Sequence, residues 1–203
     1  MRLYDSAISG NCYKVRLMLA HLGIPCERVP VDVISREDRL RILGDKNPIL
    51  RIPILELDDG RFLAESNAIL CHLAEGTDYL PADSMERNRV LQWLFFEQNN
   101  HEPNIAVARY WIHALGQEKE YADHLVLKQK GGHGALKVME RHLKEHPFFV
   151  ADRYSIADIA LYAYTHVAPE GGFDLAGYPS IRAWLARVVE QPGHVRMMGG
   201  AEA

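Results

Sequence analysis

The chain has 203 residues, of which 48% are hydrophobic and 25% are charged, a composition typical of one large globular domain or two small ones. A formal net charge of −4 and the lack of a Lys/Arg block argue against partners such as nucleic acid or an anionic membrane. The 3 scattered cysteines form neither a disulfide framework nor a zinc knuckle. No uncharged apolar run approaches the roughly 18 residues of a membrane span, and no signal peptide is recognisable. We therefore expect a cytoplasmic protein without a metal cofactor.

The first part of the chain alternates short strand patterns with helical ones. Strands are expected over residues 2–5, 27–32, 54–57 and 61–64, and helices over residues 11–23, 35–43 and 67–75. Asp58-Asp59-Gly60 predicts a tight hairpin between the last two strands, because glycine tolerates a positive φ. Ser66 is expected to cap the last helix and Gly76 to end it. The order βαβαββα predicts an α/β domain over residues 1–76.

Strand patterns disappear after the α/β domain. Residues 77–86 read as a linker, and long helices are expected over residues 87–115, 122–146 and 179–190. The second of these should be interrupted or bent near the glycines of residues 131–134. Ser155 and Asp158 predict a capping box at a further helix start. The sequence thus predicts an all-helical bundle domain over residues 87–203.

Ser9-Gly10-Asn11-Cys12 stands where the first strand turns into the first helix. A helix N-terminus favours an anion, and a hydroxyl and an amide there can donate hydrogen bonds to a thiolate. A charge-assisted hydrogen bond contributes roughly 1.5–3 kcal/mol. Lowering the pKa of a thiol by two pH units needs about 2.7 kcal/mol. The hydroxyl and the amide are therefore sufficient to stabilise a thiolate at neutral pH. The alternative interpretation is that Ser9 or Asn11 merely caps the helix.

Two further groups invite a functional interpretation. Arg51-Ile52-Pro53 enters a strand, either as a simple strand start or as a cis bond that exposes backbone to an extended peptide ligand. Glu65-Ser66 opens a helix, either as an ordinary cap or as a carboxylate site.

These three groups, in this order, resemble the cytosolic glutathione transferases over essentially the whole chain, from Met1 to about Met198. The residues that carry the resemblance are Leu3-Tyr4, residues 9–16 (SGNCYKVR), Asn47-Pro48, Arg51-Ile52-Pro53-Ile54-Leu55, residues 65–69 (ESNAI) and Tyr154-Ser155-Ile156-Ala157-Asp158. The resemblance implies a thioredoxin-like N-terminal domain and an all-helical C-terminal domain. It also implies glutathione as co-substrate, a homodimer and a small electrophile as partner.

The resemblance also implies roles for single residues. Ser9 and Asn11 would activate the thiol, with Ser9 ranked first. Ile52 would pair its backbone with the cysteinyl part of glutathione, and Pro53 would be a cis-proline. The remaining glutathione contacts fall to Arg51 at the glycyl carboxylate and to Glu65 and Ser66 at the γ-glutamyl end.

Two nearby residues are rivals to this assignment. Tyr4 occupies a catalytic position in other classes of the family, but lies early in the strand, so it ranks a distant third. Cys12 and Ser9 overlay a redox pair of cysteines, yet the nucleophilic first position holds an oxygen, which cannot form a mixed disulfide. We expect Cys12 to be a small residue packed inward.

The acceptor substrate is expected between the domains, against the long fourth helix. Residues 97, 100, 101, 104 and 105 share one face of a regular α-helix, and the candidate contacts are Asn100, His101, Ile105 and Arg109. The alternative for this face is helix packing or dimer contact.

The sequence predicts a transferase that conjugates glutathione to a small electrophile. Reduction of disulfides or peroxides at the same site, and ligand binding without catalysis, remain alternatives. His142 and His146 match a zinc-peptidase spacing, but Pro147 follows at once and no third ligand is evident, so no metal site is expected.

Overall fold

The fold is described over residues 1–197 of a computed structural model. Residues 198–203, which include the end of the expected helical domain and of the resemblance, lie outside the described residues. The chain divides into two compact units: one holds Met1–Glu75 together with the segment that begins at Pro192, and the other is Gly76–Gln191. The closing segment therefore packs with the first unit, although the sequence assigned it to the helical domain.

The first unit has the predicted βαβαββα order and the fold of a thioredoxin-like domain. Its elements are β1 (Arg2–Asp5), α1 (Gly10–His21), β2 (Glu27–Pro30), α2 (Arg36–Leu43), β3 (Ile54–Glu56), β4 (Phe62–Ala64) and α3 (Ser66–Ala74). The strands form one sheet in the order β2-β1-β3-β4, with β1 and β2 parallel and the other pairs antiparallel. The predicted hairpin is confirmed, with Gly60 at φ +81°.

The three groups singled out in the sequence, at Ser9, at Pro53 and at Glu65, follow or precede strands whose ends lie side by side in the sheet. Tyr4 of β1 pairs with Ile54 of β3, and Ile54 pairs with Ala64 of β4. Strand β1 ends just after this row, β3 begins at it and β4 ends at it. The turn to Ser9, the approach through Pro53 and the start of α3 at Glu65 therefore leave the sheet on the same side.

Helices α1 and α3 pack on one face of this sheet. Leu3, Val15, Leu19, Leu55 and Ile69, which are at most 4% exposed, form a single core cluster that joins both helices to β1 and β3. Since this cluster is closely packed, it fixes the N-terminal ends of α1 and α3 relative to each other.

The second unit is built of helices, as predicted, with an isolated β-bridge between Val150 and Arg153. Its elements are α4 (Ser84–Phe96), α5 (Glu102–Arg109), α6 (Ala122–Leu143), α7 (Ile156–Thr165) and α8 (Pro179–Val189). The predicted helix over 87–115 is a continuous helical run in which wide π-type turns, Glu97–His101 and Tyr110–Ala114, flank α5. Pro103 explains the first of them, because its ring lacks an N–H and clashes with the carbonyl four residues earlier in a regular α-helix.

Helix α6 differs from its prediction. It runs without interruption through all the glycines of residues 131–134, so the expected break is wrong. Two of these glycines instead permit close packing. A Cβ at Gly132 would lie 2.3 Å from the Phe173 ring, and one at Gly131 would lie 2.6 Å from the Asn104 amide oxygen.

The capping box at the start of α7 is confirmed. Ser155 accepts from the Ala157 backbone N–H, and the Asp158 carboxylate accepts from the Ser155 backbone N–H at 3.0 Å. Asp158 is fully buried and also accepts from the Trp184 indole N–H at 2.9 Å. The box thus ties the start of α7 to α8.

Candidate active site

Ser9 lies in the turn between β1 and α1 and is the N-cap of α1. Its backbone is extended, and its hydroxyl oxygen accepts from the Cys12 backbone N–H at 3.2 Å. The capping interpretation is therefore correct as far as it goes. Capping does not exclude a second role for the Ser9 side chain, because a hydroxyl that accepts one hydrogen bond can still donate its own proton. Ser9 is half-buried at the start of α1, where the partial positive charge of the helix N-terminus favours a negative charge.

The side chain of Arg16 holds the turn that carries Ser9. This guanidinium pairs with the buried Asp5 carboxylate and donates to the carbonyls of Ser6 at 3.2 Å and Ala7 at 3.3 Å. Arg28 pairs with the second oxygen of Asp5. The turn is thus fixed by charge-assisted hydrogen bonds, which were not part of the site predicted from sequence.

Asn11 and Ser66, predicted from separate motifs, are directly hydrogen-bonded. The Ser66 hydroxyl donates to the Asn11 Oδ1 at 3.2 Å. Ser66 in turn accepts from the Lys14 ammonium at 3.3 Å, and Lys14 also donates to the Asn67 Oδ1 at 3.2 Å. Sequence reasoning missed Lys14 as a site residue. Its spacing of three from Asn11 on one helix was the available signal.

Ser66 corrects one local prediction. It is the first residue of α3 and not the cap; the N-cap is Glu65, whose side chain makes no capping hydrogen bond. Glu65 has φ +70°, a left-handed backbone value that is costly for a residue with a Cβ and that concentrates at functional sites. The Ser66 hydroxyl is engaged with Lys14 and Asn11 instead of the helix end.

The approach to β3 contains a cis peptide bond between Ile52 and Pro53, the geometry that the resemblance implies. Pro53 is buried, Ile52 is partly exposed and Arg51 is exposed. The buried Asn47 braces this approach, because its amide donates to the Arg51 carbonyl at 2.9 Å. The backbone before Pro53 is therefore held while the Arg51 side chain stays accessible.

Tyr4 is arranged differently from a thiol activator. Its hydroxyl donates to the Glu56 carboxylate at 2.9 Å, so its proton is already used. Burial and this hydrogen bond raise the pKa of Tyr4 above its usual value. Both features support its low rank.

Cys12 is fully buried on the inner side of α1, as expected. Burial raises the pKa of its thiol to about 12, while the hydrogen bond with Ser9 opposes the rise. A thiol in this state is a poor nucleophile.

The acceptor candidates lie in the second unit, where the π-type turn at Glu97–His101 changes the helical register. Asn100 is exposed, whereas His101 and Ile105 are fully buried in their own unit. His101 hydrogen-bonds to the Thr165 hydroxyl at 2.8 Å, and the 4% exposed Arg109 pairs with Glu170. His101, Ile105 and Arg109 are thus engaged in packing or pairing, which favours the packing alternative for these side chains, and Asn100 alone of the four candidates is exposed.

Within residues 1–197, no helix is both long and apolar enough to cross a membrane. The same residues contain no group of three or more His, Cys, Asp or Glu side chains arranged to hold a metal ion.

Comparison with known proteins agrees with this geometry. The model of the glutathione S-transferase N-terminal domain matches residues 3–78, and that of the C-terminal domain matches residues 103–192. A glutathione S-transferase structure from Pseudomonas fluorescens is 50% identical, with a TM-score of 0.94 and 98% of each chain covered. The disulfide-bond oxidoreductase YfcG of Escherichia coli is 31% identical, covering 90% of this chain and 87% of that protein.

A maleylacetoacetate isomerase of Rhizobium meliloti is 32% identical, covering 89% of this chain and 87% of that protein. The relatives thus include enzymes of different reaction types on one fold. The matched domain models, which together span most of the chain, show that the protein belongs to the glutathione S-transferase family.

Proposed function

We propose that the protein binds reduced glutathione in its first unit, stabilises its thiolate and conjugates glutathione through its sulfur to a small electrophile. The observation that carries this proposal is the convergence at one sheet edge of the Ser9 turn, the cis Ile52–Pro53 bond and the start of α3. These groups offer, side by side, hydrogen-bond donors for a thiolate, exposed backbone for a peptide and a helix start for a carboxylate.

Within this proposal, each first-unit candidate keeps its assigned part. Ser9 and Asn11 donate to the thiolate, and the Ile52 backbone pairs with the cysteinyl residue of glutathione. Arg51, which is exposed, takes the glycyl carboxylate. Glu65 and Ser66 hold the γ-glutamyl end, and Asn100 remains the acceptor candidate.

The chemistry is an attack by glutathione sulfur. The thiol proton leaves to solvent, the thiolate forms a bond to an electrophilic carbon, and the leaving group departs with the electron pair of the broken bond. The protein lowers the thiol pKa and brings the reactants together. The buried Cys12 thiol, with its pKa of about 12, takes no part.

The test is the steady-state rate of conjugation of glutathione to chlorodinitrobenzene. We expect Ser9→Ala to lower kcat/KM by roughly 10- to 100-fold, the effect of losing one charge-assisted hydrogen bond. Ser9→Gly is the matched control for capping, because glycine replaces a serine N-cap at a cost of only a few tenths of a kcal/mol.

If Ser9→Gly is as impaired as Ser9→Ala, the hydroxyl acts on the reaction and not only on the helix. Wild-type rates in both variants and in the double variant of Ser9→Ala with Asn11→Ala would contradict the proposal. Because family members commonly pair, the same preparations should be sized by light scattering for the homodimer that we expect.

Disulfide reduction is the second candidate, favoured by the similarity to YfcG and by Asn11 beside the site. In that reaction two glutathione molecules are oxidised to glutathione disulfide and the substrate disulfide is reduced to two thiols. Position 9 holds an oxygen, so the bound glutathione must supply the sulfur. Assays with hydroxyethyl disulfide and with chlorodinitrobenzene on the same preparation separate the two activities. Turnover of the disulfide alone would replace the first proposal by the second, and turnover of neither would favour ligand binding without catalysis.

A further inference from the structure

Arg16 lies well inside α1, yet its guanidinium reaches back to the turn that precedes this helix. Its side chain is only 10% exposed, and a buried charge is costly unless its donors are matched. Besides the pair with Asp5, it donates to the carbonyls of Ser6, Ala7 and Met197. Acceptors from the turn and from the closing segment therefore hold this guanidinium in one position.

The Ser6 carbonyl connects Arg16 to Ser9. It accepts from Arg16 at 3.2 Å and from the Ser9 backbone N–H at 3.1 Å, which a carbonyl oxygen with two lone pairs can do. On the other side, the Ser9 carbonyl accepts from the Tyr13 N–H at 2.9 Å in the first turn of α1. The helix thus fixes Ser9 at its carbonyl, whereas its N–H depends on the carbonyl that Arg16 holds.

Arg28 of β2 offers a comparison within the same cluster. It donates to the second oxygen of Asp5 and is 49% exposed. Over residues 1–197 the structure gives it no hydrogen bond to the carbonyls of the Ser9 turn, so the two arginines share a carboxylate but only Arg16 holds the turn. An effect of Asp5 pairing would be common to both arginines, whereas an effect of turn geometry belongs to Arg16.

We propose that Arg16 is a positioning residue that places the Ser9 hydroxyl for donation to the glutathione thiolate. It does so by holding the Ser6 and Ala7 carbonyls, and the Met197 carbonyl holds the same Nη2 that contacts Ala7. Because a hydrogen bond weakens steeply away from its preferred geometry, a loosened turn stabilises the thiolate less although Ser9 is still present. This inference rests on the proposed function, which gives Ser9 its donor role.

Arg16→Lys separates the geometry of the turn from its charge. Lysine keeps the positive charge beside Asp5, but its compact ammonium lacks the planar fork with which arginine reaches several acceptors at once. Arg28→Lys makes the same exchange at the same carboxylate without releasing a turn carbonyl, and is the matched control.

The test follows thiolate ultraviolet absorbance against pH at saturating glutathione, so that altered affinity does not enter. We expect Arg16→Lys to reduce the thiolate-to-thiol ratio of bound glutathione by about threefold or more below the midpoint, a shift of roughly half a pH unit toward higher pH. Arg28→Lys should keep the wild-type midpoint. In the Ser9→Ala background Arg16→Lys should cause no further shift, because the hydroxyl that it positions is gone.

An equal shift from Arg16→Lys in the Ser9→Ala background would overturn the proposal, since Arg16 would then not act through the hydroxyl. An equal shift from Arg28→Lys, or no shift from Arg16→Lys, would overturn it as well. If a lysine variant does not fold, as judged by circular dichroism, Arg16→Gln and Arg28→Gln form the corresponding pair. Each removes one charge beside Asp5, and the proposal then requires the larger shift from Arg16→Gln. Failure of the wild type to form a thiolate would count against the proposed function itself.

Discussion

The candidate residues near the Ser9 turn differ mainly in whether their hydroxyl protons are already used in hydrogen bonds. The Tyr4 hydroxyl donates its proton to Glu56, whereas the Ser9 hydroxyl accepts from the Cys12 N–H and can still donate its own proton. Asn11 and Ser66 share a hydrogen bond although 55 positions separate them in the chain. The site therefore depends on the direction of each hydrogen bond as much as on residue type.

Cys12 provides a prediction at this scale. Its thiol is fully buried and its pKa is raised to about 12 by burial, so it should resist a thiol-specific disulfide reagent at neutral pH. Cys26 and Cys71 are only partly buried and should react slowly in the native protein. Reaction of all three thiols is expected only after denaturation with urea, with the modified residues identified by mass spectrometry. Rapid native labelling of Cys12 would contradict the assignment of the reacting sulfur to glutathione.

At the scale of elements, sequence patterns predicted what local rules control. The strands, the hairpin at Gly60 and the capping box at Ser155 follow from periodicity and turn chemistry, and all were confirmed. The predictions that were wrong depend on contacts between residues far apart in the chain. Ser66 was predicted as a cap, but its hydroxyl oxygen accepts a hydrogen bond from the buried Lys14 of α1.

Helix α6 shows the same limit. Its glycines predicted an interruption, because sequence alone does not reveal that Phe173 and Asn104 approach so closely. The expected acceptor face meets a related limit, since the π-type turn before Pro103 shifts the register of the side chains that follow. Spacing on an ideal helix cannot anticipate such a turn.

Helix α6 also allows a matched prediction. Gly132→Ala places a methyl group 2.3 Å from the Phe173 ring and should lower the free energy of unfolding by about 1–3 kcal/mol through overpacking. Gly134→Ala meets nothing within 4 Å and should raise it by roughly 0.5–1 kcal/mol, because alanine favours the helix. Urea unfolding of both variants measures the difference. The same sign of change for the two would show that the close contact at Gly132 does not determine its effect.

At the scale of the whole molecule, the chain returns to its first unit after the helical one. The Tyr13 hydroxyl donates to the Val195 carbonyl at 2.7 Å, Arg16 to the Met197 carbonyl at 3.1 Å and His21 to the Pro192 carbonyl at 2.8 Å. Arg16 also holds the Ser9 turn, so the closing segment braces the residues beneath the candidate site. Composition and charge indicate a globular chain of one large or two small domains. The return of the chain to its first unit, however, has no periodic signal in the sequence.

A chain that ends at Gln191 should therefore be destabilised. Loss of three hydrogen bonds at about 0.5–1.5 kcal/mol each predicts a free energy of unfolding lower by roughly 2–4 kcal/mol. Tyr13→Phe, which removes one of them, should cost about 1 kcal/mol by the same measure. Unfolding by urea, followed by circular dichroism, compares both with the full chain. Unchanged stability of the shortened chain would mean that the segment adds nothing to the first unit.

The central claim is that the first unit ionises the thiol of bound glutathione. The most direct measurement is thiolate ultraviolet absorbance during titration of the protein with reduced glutathione near neutral pH, for the wild type and Ser9→Ala. The account predicts a saturable rise in the wild type that Ser9→Ala strongly reduces. Saturable binding of glutathione without a thiolate signal, or no binding at all, would contradict it.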